Sequence, residues 1–226
     1  MGNKDDQLIM VVRKEDLFGE HNENYFEGFC ASGLKNFEEV ILERYGFMTR
    51  KFAEQDTNYK QPIGYAMIVN PKLRKVFAYQ RSKKDEQYTE KRLQGKWSWG
   101  IGGHIEMSDA SDVNPIQDSV LREIGEEVKM DGSITSKKIL GYIYHDFGVN
   151  AVHVGLLYLI ETNSKVIKPG DSESSEGYLA TIKELEKICL NPEVNVEDWS
   201  KTALRPLKYY FETIDKIINT IDDLPF

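Results

Sequence analysis

Between Gly64 and Gln80 the chain spells out a β-hairpin, and that hairpin sets the terms for the rest of the fold. Tyr65-Ala66-Met67-Ile68-Val69 and Val76-Phe77-Ala78-Tyr79 are rich in β-branched and aromatic residues, and Asn70-Pro71 between them is turn chemistry. A hairpin alone cannot bury enough surface to be stable, so other elements must cover it. The candidates are plain in the sequence. Leu8-Ile9-Met10-Val11-Val12, Ile139 to Tyr144 and Val152 to Ile160 are further apolar runs of strand length. Phe37, Val40, Ile41 and Tyr45 recur at helical spacing behind a candidate N-cap, Asn36, with Gly46 placed to close that helix. A segment from Asn114 to Met130 is helical in pattern, as is one within Ser175 to Ile188 that begins near Ala180-Thr181. Leu204, Leu207, Phe211, Ile214, Ile218 and Ile221 mark a long amphipathic C-terminal helix. Strands interspersed with helices imply an α/β or α+β fold, with a mixed sheet sandwiched between helices. Residues 1–60 read as a small α/β extension and residues 61–226 as the main domain with its C-terminal helix.

Composition narrows the function. The chain holds 226 residues, 40% of them hydrophobic, which is enough to build a core. It carries 29 basic and 37 acidic residues, a net charge of −8. An acidic surface argues against broad binding to nucleic acid or to anionic membranes. A compact phosphorylated metabolite remains compatible with it, where charge is concentrated locally or supplied by metal. No apolar run approaches the roughly 20 residues that span a bilayer, and Met1 to Asp6 contains neither a signal-peptide core nor a myristoylation pattern. Cys30 and Cys189 stand far apart and form no zinc motif, so two free thiols are expected. The expected location is the cytoplasm.

The chemistry is concentrated after the hairpin. Trp97-Ser98-Trp99 has strand alternation, Gly100, Gly102 and Gly103 follow, and Arg122-Glu123-Ile124-Gly125-Glu126-Glu127 lies on the helix beyond. At about 100° per residue, Glu123, Glu126 and Glu127 share one arc of roughly 100°. Val120, Ile124, Val128 and Leu121 fall on the neighbouring arc and are expected to face the core. Three carboxylates on one side repel each other, and Arg122 relieves part of that repulsion. Oxygen-only ligands so arranged suit a hard divalent cation such as Mg²⁺ or Mn²⁺. The bland alternative is a solvated acidic face. The preceding Gly-Gly turn, whose backbone can approach a ligand closely, favours the functional reading.

At these residues the sequence resembles the Nudix (MutT-like) hydrolases, whose signature runs Gly, five residues, Glu, seven residues, Arg-Glu-U-x-Glu-Glu-x-Gly-U, where U is a bulky aliphatic. Gly103 matches the first Gly, and Arg122-Glu123-Ile124-x-Glu126-Glu127 matches the second half. Three departures stand out. Asp109 takes the place of the first Glu, which keeps the charge but shortens the reach. Twelve residues, Ala110 to Leu121, stand where seven are expected, which implies a five-residue insertion in the loop before the helix. Lys129 replaces the late Gly, so the helix is expected to run about one turn further and to end at Asp131-Gly132, with Gly132 as a left-handed cap.

The resemblance implies a metal-dependent pyrophosphohydrolase acting on a nucleoside diphosphate linked to another group. It makes Glu126 and Glu127 the principal metal ligands and Glu123 a ligand or a water-orienting base. Gly102 would offer its carbonyl, and Arg122 would hold the carboxylates. A further acid or base from a later loop is implied, with Asp171, Glu173 and Glu176 as candidates. Outside the motif, the basic loop from Arg81 to Lys96 could grip phosphates, Trp99 or Trp97 could stack on a base, and His104 could donate to phosphate. A solvated loop, strand packing and a turn residue are the plainer readings of these three features. His145 and His153 read as packing residues. Two other functions compete. An isopentenyl diphosphate isomerase would carry a Cys where Gly102 stands. A non-catalytic nucleotide-binding module would usually have lost one of the helical carboxylates, all of which are present here. The N-terminal residues could serve as a lid, a partner site or a homodimer element.

Overall fold

The computed structural model describes residues 4–82, 93–109, 113–170 and 174–222. Strands and helices alternate along the chain: β1 (Leu8–Arg13), α1 (Lys14–Phe18), β2 (Gly28–Ala31), α2 (Phe37–Arg44), β3 (Gly46–Thr49), α3 (Arg50–Ala53), β4 (Tyr59–Asn70), β5 (Lys75–Arg81) and β6 (Trp97–Ser98). Then come α4 (Pro115–Glu127), β7 (Val128–Met130), β8 (Ile134–Tyr144), β9 (His153–Thr162), β10 (Ile167–Pro169), β11 (Ser174–Thr181), α5 (Ile182–Leu190) and α6 (Asp198–Asp222). The architecture is the mixed α/β one expected. No helix among the described residues is long and apolar enough to cross a membrane.

The chain forms two compact units, each assembled from separate stretches of sequence. The first takes Met1–Ala66, Ile101–Glu126 and Lys138–Tyr158. In it β1 pairs antiparallel with β3, Leu8 opposite Thr49, and at its far end with β4, Val12 opposite Lys60. β2 pairs antiparallel with β8, Phe29 opposite Ile143. An aromatic cluster fills the space beneath: Phe18 contacts Tyr25, Phe26, Phe37 and Tyr144 at ring separations of 4.9–6.2 Å. Such pairs add to plain area burial because ring edges meet ring faces. Asn36 caps α2, its side chain accepting the Glu39 N–H, and Tyr45 rather than Gly46 ends that helix. Helix α4 lies close on β4 because position 64 is glycine. A Cβ there would stand 2.3 Å from a Val120 methyl.

The second unit takes Met67–Gly100, Glu127–Lys137 and Leu159–Phe226. β5 lies between β11 and the pair β4 and β6, with Tyr79 opposite Gly177 on one side and Ser98 on the other. Thr181 and Glu184 form a reciprocal capping box that starts α5. Residues 175–181 are therefore strand, and the helix begins where its cap is. The Lys208 ammonium meets Glu186 at 2.8 Å, between α6 and α5. The side chains of Ile218 and Ile221 lie outside the described residues. Cys30 and Cys189 are free thiols whose pKa burial pushes up.

Candidate functional site

The start of α4 follows from two adjacent residues. The Asn114 side chain accepts the N–H groups of Ile116 and Gln117 at 3.1 and 3.0 Å, and Pro115, which has no N–H to leave unsatisfied, fills the first helical position. The end of the helix differs from the sequence expectation. The helix stops at Glu127, and Val128–Met130 becomes β7, paired antiparallel with β10. The Glu127 carbonyl accepts the Gly170 N–H at 2.7 Å. Gly132 supplies no left-handed cap; its N–H goes to the Ser164 hydroxyl at 2.9 Å. A neighbouring strand offers Val128 and Met130 an extended ladder, which competes with another helical turn.

Arg122 organises the site. Its Nε and one terminal nitrogen donate to the two oxygens of Asp109, at 2.7 and 2.9 Å. Its other terminal nitrogen donates to Glu123 at 2.7 Å and to Glu126 at 3.4 Å. The nitrogen facing Asp109 also reaches the His104 carbonyl at 3.2 Å. The fork-on-fork geometry with Asp109 is the strong kind of charge-assisted contact. The Asp109 hydrogen bond is the main reason the Arg122 pKa is raised further above its ordinary value. Asp109 is buried, and it also accepts the Glu106 N–H at 2.8 Å. The shorter side chain therefore does reach the arginine, from a single 3-10 turn at Met107–Asp109.

The loop facing this helix is fastened by strand-like contacts. Ile101 and Ala66 exchange both backbone hydrogen bonds, at 2.7 and 2.9 Å. His104 bridges Ile63, Ile105 accepts from the Met10 N–H at 2.8 Å, and Glu106 bridges Ile9. Gly102 sits against backbone, since a Cβ would lie 2.3 Å from the Gly64 carbonyl oxygen. At Gly103 a Cβ would lie 2.3 Å from a Glu123 carboxylate oxygen. The Glu123 carboxylate thus lies against the Gly102-Gly103 turn. Val120, Ile124 and Val128 face the core as expected, whereas Leu121 does not and is 37% exposed. Glu123, Glu126, Glu127 and the Gly102 carbonyl are an all-oxygen donor set, which fits a hard divalent cation. Their carboxylates are not gathered into a tight group. Glu123 and Glu126 turn to Arg122, the cation beside them, as mutual repulsion would direct.

The remaining candidates fall elsewhere. Arg81 is buried and ion-paired with Glu197, and Glu197 also accepts the Ser98 hydroxyl at 3.0 Å, so this arginine is committed to internal packing and not to phosphate. Trp99 is 1% exposed and presents no face for a base to stack on. Lys96 sits in the turn before β6, its carbonyl accepting the Arg81 N–H at 2.9 Å. Glu176 lies on β11 opposite Gln80, exposed, on a strand and not in a loop. Asp171 and Glu173, with Lys83, Lys84, Lys91 and Arg92 of the basic loop and Ala110 to Asp112 of the insertion, lie outside the described residues.

His104 turns inward. Its ring contacts Gln61 at 2.6 Å and lies beside His153 and Glu54, so it is not presented to phosphate. Burial, followed by the charge of His153, holds its pKa well below the ordinary histidine range. The association of Glu54, His104 and His153 has no signature in the sequence, because the three are separated by about fifty residues each.

A strand-built loop, an arginine-locked carboxylate helix and a Gly-Gly turn facing it are the arrangement that the Nudix resemblance implies. No protein-family model matches the chain. Tm1382, classed as a Nudix hydrolase, has a crystal structure that matches with a TM-score of 0.69 at 27% identity, over 89% of this chain and 98% of that one. The Nudix domain of Shewanella oneidensis NrtR, solved with ADP-ribose, shares the fold with a TM-score of 0.51 at 12% identity, over 67% of this chain and 88% of that one. Protein YmaB of Bacillus subtilis (strain 168) is 29% identical over 210 residues, 88% of this chain and 96% of that protein. The chain has the fold of the Nudix hydrolases and is similar to one of them along most of its length.

Proposed function

We propose that the chain is a metal-dependent pyrophosphohydrolase that cleaves the diphosphate of a nucleoside diphosphate joined to another group. The observation that carries this reading is the Arg122 lock: one guanidinium binds Asp109, Glu123, Glu126 and the His104 carbonyl together. A solvated acidic face would not need a half-buried counter-ion or a glycine turn fitted against one of its carboxylates. Glu123, Glu126 and Glu127, with the Gly102 carbonyl, would hold Mg²⁺ or Mn²⁺. Such an ion, when bound, neutralises charge on phosphate oxygens and acidifies water.

The protein's own residues have separable tasks. Glu123, lying against the Gly102-Gly103 turn, takes a proton from the water as its oxygen bonds to phosphorus and the bridging P–O bond breaks. Arg122 is a positioning residue that fixes the direction of Glu123 and ties the loop to the helix. Glu176 on β11, and Glu173, are second candidates for acid or base. The ligand class accords with the ADP-ribose held by the NrtR domain.

The test is phosphate or mononucleotide release over a panel of nucleoside triphosphates, sugar nucleotides, dinucleoside polyphosphates and ADP-ribose, with Mg²⁺ or Mn²⁺. Glu127→Gln should fold normally and lose turnover by orders of magnitude. Glu123→Gln should do the same, whereas Glu176→Gln with Glu173→Gln decides whether proton transfer is shared. Tight binding of a nucleotide without release of any product would replace this reading with that of a regulatory module.

A further inference from the structure

Glu54 ends α3, His104 follows the Gly102-Gly103 turn, and His153 opens β9, all within the first compact unit. His153 Nε2 stands 3.4 Å from His104 Nε2, and Glu54 Oε1 stands 3.6 Å from His104 Nε2 and 3.8 Å from His153 Nε2. The three side chains are 23%, 14% and 9% exposed, in chain order. We propose that these residues form a Zn²⁺ site separate from the carboxylates of α4, with Glu54, His104 and His153 as ligands and Gln61 beside them.

The distances favour a shared centre over direct bonds. Zinc bonds to nitrogen and oxygen are about 2.0–2.2 Å, and the edge of a tetrahedron is about 1.6 times its centre-to-corner length, so paired ligand atoms should lie roughly 3.3–3.6 Å apart. The three separations meet that range to within a few tenths of an ångström. A direct ion-pair hydrogen bond would instead close to about 2.7–2.9 Å. At 3.4 Å the two imidazole nitrogens make at most a long hydrogen bond, and at 3.6–3.8 Å the Glu54 oxygen faces both without closing to ion-pair hydrogen-bond length.

The tautomer of His153 and the types of donor agree with a shared ion. His153 Nδ1 lies 2.6 Å from the Val149 carbonyl, which can only accept, so Nδ1 carries the proton and the Nε2 lone pair points into the cluster. A backbone carbonyl holding the outer nitrogen is how metal-ligating histidines are usually oriented. Gln61 is wholly buried and its Oε1 accepts from His104 Nε2 at 2.6 Å, so zinc on that nitrogen would displace the proton and turn the Gln61 amide, whose nitrogen has no hydrogen-bond partner. Two imidazoles with one carboxylate suit Zn²⁺ and do not suit Mg²⁺, which prefers oxygen alone. Arg50 approaches the same Glu54 oxygen, at 3.7 Å, as the one competing cation side chain within ion-pair range of it among the described residues. Because the His104 carbonyl accepts from Arg122, zinc on the His104 ring would pin the loop that carries Gly102 and Gly103.

The full-length protein should be stripped with chelator, desalted and titrated with Zn²⁺ and, separately, Mg²⁺, with retained metal counted after dialysis. One Zn²⁺ per chain is expected, and Glu54→Gln, His104→Gln and His153→Gln should each weaken binding at least about tenfold. Substitution by Co²⁺ should give the visible bands of a tetrahedral site in the wild-type chain, a readout that does not depend on any variant folding. Zinc retained equally by the wild type and all three variants would overturn the proposal. So would zinc binding abolished by Glu126→Gln with Glu127→Gln and unaffected by His153→Gln. None of these readouts requires hydrolysis, so the site stands or falls apart from the proposed activity.

Discussion

Asp109 takes two hydrogen bonds from the guanidinium of Arg122, at 2.7 and 2.9 Å, across an interval of thirteen residues. The side chain of Asp109 is 5% exposed and that of Arg122 is 25% exposed, so their contact is largely shielded from water. Arg122 keeps Glu123 and Glu126 when Asp109 is removed, so Asp109→Ala should cost about 1.5–3 kcal/mol in urea unfolding, the range for hydrogen bonds to a charged group. Glu126→Gln, whose contact with Arg122 is 3.4 Å and whose side chain is 60% exposed, should stay within about 0.5 kcal/mol. Equal costs for the two would show that Asp109 is not the anchor.

Gly102 and Gly103 should separate stability from turnover. Gly102→Ala places a Cβ 2.3 Å from a backbone oxygen that cannot swing aside, so the loop must shift and melting should fall, by about 1–3 kcal/mol of stability. Gly103→Ala meets the end of the Glu123 side chain, which can turn away. It should fold nearly as well as the wild type and lose turnover on any substrate the panel identifies. Normal turnover in Gly103→Ala would remove Glu123 from its assigned place.

Asn114→Ala should destabilise the protein by about 0.5–2 kcal/mol, since two first-turn N–H groups lose their acceptor. Asn114→Asp keeps the acceptor and adds a charge suited to a helix N-terminus, so it should recover most of that loss. Denaturant midpoints of the three proteins decide it, and no recovery by Asp would point to the Asn114 contact with Glu38 instead.

Lys60 is fully buried and donates to the carbonyls of Thr57 and Ala151 at 2.8 and 2.7 Å. Burial lowers its pKa from 10.5 to about 8. Above pH 8 the folded state gives up this proton while the unfolded chain keeps it until about pH 10.5, so Lys60 makes stability rise with pH across that window. The thiols of Cys30 and Cys189, raised from 9, and the tyrosines, raised from 10, oppose it above those values, so the clean interval is about pH 8–9. Urea unfolding of Lys60→Met should lose that upward slope. An unchanged slope would assign it to other groups.

Much of the carboxylate site was legible from residue types because its determinants are local. Asn114 and Pro115 mark a helix start by themselves, and helical geometry alone puts Glu123, Glu126 and Glu127 on one arc. That Asp109 could replace a longer carboxylate was open, because reach depends on the 3-10 turn that lifts it toward Arg122. Leu121, which fell at the rim of the apolar arc, was misread for a related reason: how wide a helix face is buried depends on what packs there.

The longer strands and helices, the motif and the chemistry of its donors are legible from residue order, since these depend on neighbours a few residues apart. Where α4 yields to β7 is set by long-range packing, because the choice rests on a ladder with residues 167–169 that local propensity cannot supply. That packing also decided that Arg81 and Trp99 belong to the interior, and that Glu176 stands on a strand. The meeting of Glu54, His104 and His153 is decided at the same level. Each is an ordinary residue in its own segment, and their distances are set by how α3, the glycine turn and β9 pack, a long-range property that no spacing within the sequence encodes.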